Sequence, residues 1–216
     1  MEITYLGHAS FKLKGRAVTV ITDPYDDKCG KFPKDMLADI VTVSHGHADH
    51  NQVSKVGGGP FVIEGPGEYE VKGVSVVGVH TFHDGQSGSL RGSNTVYVIE
   101  LDDMRLLHLG DVGHKLTEDN LAQIGPIDLV FVPVGGEYTI DAGTAAEVVK
   151  QVDPWVVVPM HYQQPGLDQD MFGKLAGVEQ FLKAMGKEGL AAVPKLTISA
   201  DRLPTELQAV VLERRG

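Results

Sequence analysis

Residues 45–50 read HGHADH, and they follow directly on the run Asp39-Ile40-Val41-Thr42-Val43-Ser44. Three of the chain's nine histidines and one carboxylate fall within these six positions, with a glycine between the first two rings. A packed core has little use for so many polar rings, and a solvated loop has no need of them, whereas a metal ion does. In an extended segment residues two apart point to the same side, so His45 and His47 can grip one ion while Gly46 keeps the backbone unhindered. Asp49 and His50 are carried round by the following turn and can address a second ion beside the first. The spacing differs from HExxH, in which two histidines share one helical face. The hexapeptide therefore reads as the end of a buried strand followed by a ligand-bearing turn.

The same arrangement recurs along the chain. The apolar runs 18–22, 40–44, 74–82, 106–110 and 155–160 end in Asp23, His45, His83-Asp84, Asp111 and His161 respectively. Five runs thus deliver an Asp or His just past the carboxyl end. If those ends share a rim, their side chains converge on one crevice, the usual ligand site of a layered α/β protein.

The remaining pattern fits such layers. Strands are expected at 3–6, 11–14, 17–21, 40–43, 61–63, 69–71, 74–79, 95–101 and 104–109, with Asp102-Asp103 as a hairpin turn. The second half changes period. A helix opens at Thr117 and stops at Gly125-Pro126, a buried strand covers 127–134, and a helix over 144–152 ends at Asp153-Pro154. A strand over 155–159, a helix over 177–185 and two strands within 195–213, around Leu203-Pro204, complete the reading. No repeat or linker interrupts it, which predicts one domain spanning 1–216, of α/β (α+β) class, with layered sheets flanked by helices.

Composition narrows the function. A formal net charge of -10 argues against a general polyanion binder, so no nucleic-acid partner is expected. One cysteine, Cys29, cannot form an intramolecular disulfide and fits a reducing compartment. There is no signal-peptide pattern and no apolar run of the roughly 18 residues that would read as a membrane span. A cytoplasmic protein acting on a small-molecule substrate, with no membrane partner and with a homo-oligomer allowed, is expected.

HGHADH, taken with TDP at 22–24, FHD at 82–84, LGD at 109–111 and PMH at 159–161, resembles the five ordered motifs of the metallo-β-lactamase superfamily. Within it, YLGHASF at 5–11 is similar to the opening of the small branch that includes ascorbate-6-phosphate lactonase. The resemblance runs from Tyr5 to Tyr162. It implies a four-layer αββα sandwich of two mixed sheets flanked by helices, with a two-metal site at the sheet edge. By matching motifs, His45, His47 and His83 would hold one metal, Asp49, His50 and His161 the other, and Asp111 would bridge them. Asp23 matches a position that orients the histidine loop without touching metal. His83 is preferred to His80 for the third motif because it follows its strand and precedes Asp84. His8 stands near the site by family position and reads equally as a turn histidine. His108, alternating with its leucine neighbours, is expected to be buried and hydrogen-bonded, and His114 to lie on a solvated loop.

The implied cofactors are two divalent ions, zinc first, with manganese or iron as alternatives. The implied activity is hydrolysis by a dinuclear metal-activated hydroxide, on a lactone, ester or phosphorylated sugar acid. Asp49 and His8 are the catalytic candidates, with Tyr162 a further oxyanion donor by position. Asp111 stands at the bridging position and no cysteine serves the second metal, as it does in many true β-lactamases, which argues against antibiotic hydrolysis. The rival readings are a phosphodiesterase or nuclease on the same site, and a di-iron redox or metal-binding protein without hydrolase activity.

Overall fold

Short strands and tight turns fill the first half of the chain. β1 (Glu2–Gly7), β2 (Ser10–Lys14), β3 (Thr19–Thr22), β4 (Ile40–Val43) and β5 (Phe61–Glu64) are followed by β6 (Gly67–Val71), β7 (Val74–Phe82), β8 (Ser93–Leu101) and β9 (Met104–His108). Helix and strand then alternate through α1 (Glu118–Ile124), β10 (Leu129–Pro133), α2 (Ala142–Val152), β11 (Val156–Met160), α3 (Gln169–Phe172) and α4 (Val178–Ala184). Two-residue strands follow, β12 (Leu196–Thr197) and β13 (Gln208–Ala209). The structure is a computed structural model and describes residues 1–215.

The strands form two mixed sheets, ordered β12-β1-β2-β3-β4-β5 and β13-β11-β10-β9-β8-β7-β6. The first is antiparallel as far as β3 and parallel through β4 and β5. The second is antiparallel from β6 to β9 and parallel from there to β13. The β8–β9 hairpin turns on Asp102 and Asp103, whose φ values of 54° and 67° are those a two-residue type I′ turn demands. No glycine is present to accept them. Instead Arg16 braces the turn, its backbone N–H donating to Asp102 and its guanidinium to Asp103 at 2.7 Å.

Period-two alternation divides the first sheet between two cores. Ile3, Tyr5, Val20 and Ile40 pack with Val96, Val98 and Leu107 of the second sheet, between the sheets. Leu6, Ile21, Val41 and Val43 point the other way, onto Tyr25, Cys29, Phe32 and Phe172. The outer face of the first sheet is therefore covered by the segment 24–38 and the short α3. The second sheet is covered by α2, through Ala145, Val148 and Val149, and by α4, through Phe181 and Leu182. The Asp141 side chain caps α2 by accepting from the Thr144 N–H, so the helix begins two residues before its apolar pattern does. Two features differ from the sequence expectation. The tail strands are only two residues long and join different sheets, and α3, four residues long, is too short to show a helical period.

Candidate metal centre

Six strand ends meet at one edge of the sandwich, one more than the apolar runs indicate. β1 leads to His8, β3 to Asp23, β4 to Ser44-His45, β7 to His83, β9 to Asp111 and β11 to His161. His8, Asp23 and His161 adopt left-handed φ values of 53°, 38° and 53°. That conformation costs an L-residue about 1–2 kcal/mol, and it is held where surrounding structure over-determines it. Here the His161 N–H donates to the His8 carbonyl at 2.8 Å and the Asp23 N–H to the Thr42 carbonyl at 2.9 Å. The loop after β9 needs its glycines for contact. A Cβ on Gly110 would lie 2.6 Å from the Ser44 Cβ, and one on Gly113 would collide with the Asp84 backbone.

The converging side chains form two sets whose potential ligand atoms lie within 4.8 Å of one another, His45 with His47 and His83, and His8 with Asp49, His50 and His161, and a third, His45 with His50 and Asp111, that joins them. Asp111 stands between them. Its Oδ2 lies 3.2 Å from His50 Nε2 and 3.3 Å from both His83 Nε2 and His161 Nε2. His80 is outside both sets, exposed on β7 with its Nε2 3.1 Å from Ser93 Oγ. His8, buried, sits inside the second set with its Nε2 3.2 Å from Asp49 Oδ2 and its ring 4.0 Å from that of His161.

Asp23 sets the tautomers of two rings. It accepts from the Ser44 N–H at 2.8 Å, from Ser44 Oγ at 2.6 Å and from His50 Nδ1 at 2.8 Å. Ser44 Oγ, having given its hydrogen to Asp23, accepts from His45 Nδ1 at 2.9 Å. With both Nδ1 atoms engaged as donors, His45 and His50 present bare Nε2 lone pairs to the centre. Those two atoms, both ring nitrogens of His161, His83 Nδ1 and Asp111 Oδ1 are buried without a hydrogen-bond partner. Leaving a buried polar atom unpaired costs about 1–3 kcal/mol, so the four that converge, Nε2 of His45, His50 and His161 with Asp111 Oδ1, call for a ligand. Imidazole and carboxylate donors in this number fit divalent zinc, manganese or iron.

The electrostatics agree. Burial would raise the Asp111 and Asp49 carboxyls, but His161 and His50 around Asp111, and His50 and His8 around Asp49, hold both well below the usual carboxylate range. Burial lowers His45 to about 3 and His8 to about 4, so both rings are neutral at pH 7. His50 and His83 go the other way: burial opposes their charge, but the neighbouring Asp111 raises both. The carboxylates thus draw positive charge to the centre, from protons or from a cation.

A profile of the β-lactamase superfamily domain matches residues 2–161. The chain belongs to the metallo-β-lactamase superfamily. A Thermococcus onnurineus relative named a metal-dependent hydrolase is 31% identical over 208 residues, covering 82% of this chain and 92% of its own. A Pyrococcus horikoshii relative of the same name is 28% identical over 209 residues, with the same coverage. The crystal structure of a Thermotoga maritima protein, provisionally described as a zinc-dependent hydrolase of the superfamily, superposes with a TM-score of 0.81 at 38% identity and covers 99% of both chains.

Around the metallo-β-lactamase motifs the structure corrects two expectations and adds residues the sequence did not single out. His114 is half-buried rather than solvated: its Nε2 accepts from the Phe82 N–H at 3.1 Å, tying the loop after Asp111 to the end of β7. Tyr162 is buried in the inter-sheet core, its ring 6.3 Å from that of Tyr5, and does not line the cleft over the centre. His108 is fully buried and its Nε2 donates to the Ala9 carbonyl at 2.7 Å, as its place in an apolar run suggests. Asn94 is new. It accepts from the Asp111 N–H at 2.9 Å and donates to Thr81 Oγ1 and the Leu109 carbonyl, so it sets the angle at which Asp111 enters the centre. A buried asparagine at the head of an apolar strand was the available signal.

A cleft of about 380 Å³ opens onto His47, Asp49, His83 and Asp111. Its walls come from two loops, carrying Leu90 and Arg91, and Tyr138, and from α3 with Met171 and Phe172, with Asp26 and Lys28 on the remaining side. Asp84, beside His83, builds the first loop by accepting the backbone N–H groups of Gln86, Gly88, Leu90 and Arg91 at 2.7–3.0 Å. The Tyr138 hydroxyl donates to the Met171 carbonyl at 2.6 Å and ties the second loop to α3. Among the described residues no helix is long and apolar enough to cross a membrane.

Proposed function

We propose that the chain is a metal-dependent hydrolase that holds two divalent cations and cleaves a carboxylic ester or lactone. The observation that carries this reading is the position of Asp111 Oδ2, within 3.3 Å of a ring from the first histidine set and of two from the second. One carboxylate touching both sets suits a pair of cations rather than one. His45, His47 and His83 would hold the first cation, Asp49, His50 and His161 the second, and Asp111 both. The names of the relatives, metal-dependent hydrolases, fit the same activity. Cations in this donor set, zinc foremost, supply Lewis acidity that brings the ionisation of water toward neutral pH and draws charge from the scissile carbonyl.

The chain's own groups complete the chemistry. His8, neutral at pH 7, donates from Nε2 to Asp49 Oδ2 and fixes the carboxylate's orientation. Asp49 lines the cleft, and its other oxygen would serve as general base. The water oxygen bonds to the acyl carbon while one of its protons passes to Asp49. The acyl C–O bond then breaks, and Asp49 returns that proton to the leaving alkoxide. Ester and water thus become acid and alcohol, and Asp49 ends as it began. Phe172, its ring 5.1 Å from that of His8, packs against the back of this pair.

The test is metal-loaded protein assayed for bound metal and screened against lactones, carboxylic esters and phosphodiesters. The reading expects about two equivalents of metal, and ester or lactone hydrolysis lost on chelation and in His45→Ala. Saturation at one equivalent removes the paired-cation arrangement, and a clear preference for phosphodiesters moves the substrate class.

A further inference from the structure

The cleft walls describe the part of the substrate that does not react. Leu90 is 65% exposed and Met171 39%, both at the cleft mouth. With Tyr138 and Phe172 they make an apolar wall that is continuous with the metal centre. Hydroxyl groups laid on such a wall would lose water and gain no hydrogen bonds, whereas methylenes or a ring would gain by leaving water. At the rim stand Asp26 and two cations, Lys28 and Arg91, of which Lys28 is met by Asp26 through its backbone N–H only. Arg91 is the one held in place: its guanidinium lies 5.5 Å over the Tyr138 ring and donates to the Glu137 carbonyl at 3.3 Å, and it pairs with no carboxylate among the described residues. A stacked, planar guanidinium is pre-organised for an anion.

We propose that the substrate is amphipathic, an apolar chain or ring lying on Leu90, Tyr138, Met171 and Phe172, with an anionic group at its far end held by Arg91. The inference rests on the hydrolase reading above for which end reacts. It takes the site away from sugar acids, whose hydroxylated bodies do not match the wall. Arg91 and Leu90 are adjacent in sequence and are positioned together by the Asp84 carboxylate, so one loop selects both features.

Binding of product-like acids to the metal-loaded protein, measured by calorimetry, tests this without requiring turnover. Adipate, suberate and sebacate carry two carboxylates on an apolar body of increasing length. Hexanoate lacks the second carboxylate, and glucarate keeps both but has a hydroxylated body. At least one of the three apolar diacids should bind about tenfold or more tightly than hexanoate and than glucarate. Arg91→Gln should reduce that diacid to the affinity of hexanoate while leaving hexanoate unchanged, and Arg91→Lys should recover part of the difference. Replacing Leu90 by Asn together with Met171 by Gln should remove the advantage over glucarate. An ω-phosphonate analogue of the best diacid tells whether the anion is a carboxylate or a phosphate-like group. Glucarate binding as well as adipate, or an affinity indifferent to Arg91→Gln, would overturn the proposal. If no ester is hydrolysed but this binding pattern holds, the assigned reaction fails and the substrate class stands. If esters are hydrolysed and the pattern is missing, the reverse applies.

Discussion

Asp23 and His50 are 27 residues apart in sequence and share a 2.8 Å hydrogen bond between two fully buried side chains. The bond fixes the proton of His50 on Nδ1 and turns Nε2 toward Asp111. Asp23→Asn preserves shape, and the amide oxygen can still accept from Ser44. Its NH₂, however, would face a donor at His50, so the ring must change tautomer and carry its proton on Nε2, toward the centre. Metal affinity at the His50 position should fall about 10–100-fold, the range typical for loss of a group that orients a ligand. Ser44→Ala should produce a smaller loss confined to the His45 position. Competition with a chromophoric chelator measures both, and unchanged affinity in Asp23→Asn would show that tautomer control is not its role.

His83 and His80 separate by the same measurement. His83 Nε2 is 3.3 Å from Asp111 Oδ2, whereas the exposed His80 reaches only Ser93. His83→Ala should weaken one metal equivalent about 100-fold, and His80→Ala should change neither affinity nor stability beyond about 0.5 kcal/mol, as for a surface substitution. Reversed effects would move the third motif to His80.

The loop that carries Leu90 and Arg91 should respond to acid in a defined way. Burial would raise the Asp84 carboxyl, but four backbone N–H donors outweigh it and hold the group down to about 2, below its unfolded value near 4. A carboxyl depressed by folding stabilises fully above its unfolded pKa, and the contribution is lost as pH falls through the folded one. Hydrogen-exchange protection of the Gln86, Gly88, Leu90 and Arg91 amides should therefore persist in wild type down to about pH 3. In Asp84→Asn it should be reduced already at neutral pH. Equal protection in the two proteins at pH 7 would mean that the loop is held by something other than the carboxylate.

Much of the candidate centre was legible because the side chains that converge there sit at strand ends, where period-two apolar runs stop abruptly at Asp or His. Asp23, His45, His83, Asp111 and His161 share that signature, and HGHADH adds its own. His8 was ambiguous for a physical reason: β1 and β2 are separated by a two-residue turn, and a turn histidine looks the same in sequence whether it faces water or Asp49. The cleft wall was not legible. Leu90 and Tyr138 come from loops and Met171 from the four-residue α3; the Asp84 carboxylate shapes the first loop and the Tyr138 hydroxyl ties its own to α3, contacts that leave no periodic trace. That β12 and β13 join different sheets was not legible either, because two residues carry too little pattern to indicate a partner.

Asp111 is expected to be the most sensitive single residue. Its Oδ2 is shared by three Nε2 atoms and its Oδ1 is buried and unpartnered, so both oxygens are disposed toward the centre. In Asp111→Asn one oxygen becomes an NH₂ group, a poor ligand, and the negative charge that His161 and His50 stabilise is gone. Asn94 still accepts from the backbone N–H of residue 111, so the replaced side chain should keep its position. Loss at one end of a bridge should release the more weakly held cation, which we assign to the Asp49, His50 and His161 position. Bound metal should fall from about two equivalents to about one, and activity by about 10² or more, the scale of losing a preorganised charge-stabilising group. Melting of chelator-treated protein should change much less than activity, because both cores are formed by residues that Asp111 does not join. Elemental analysis, rate and melting on the same sample distinguish the outcomes. Two equivalents retained at full activity would remove Asp111 from the bridging position and leave the two histidine sets as separate mononuclear sites.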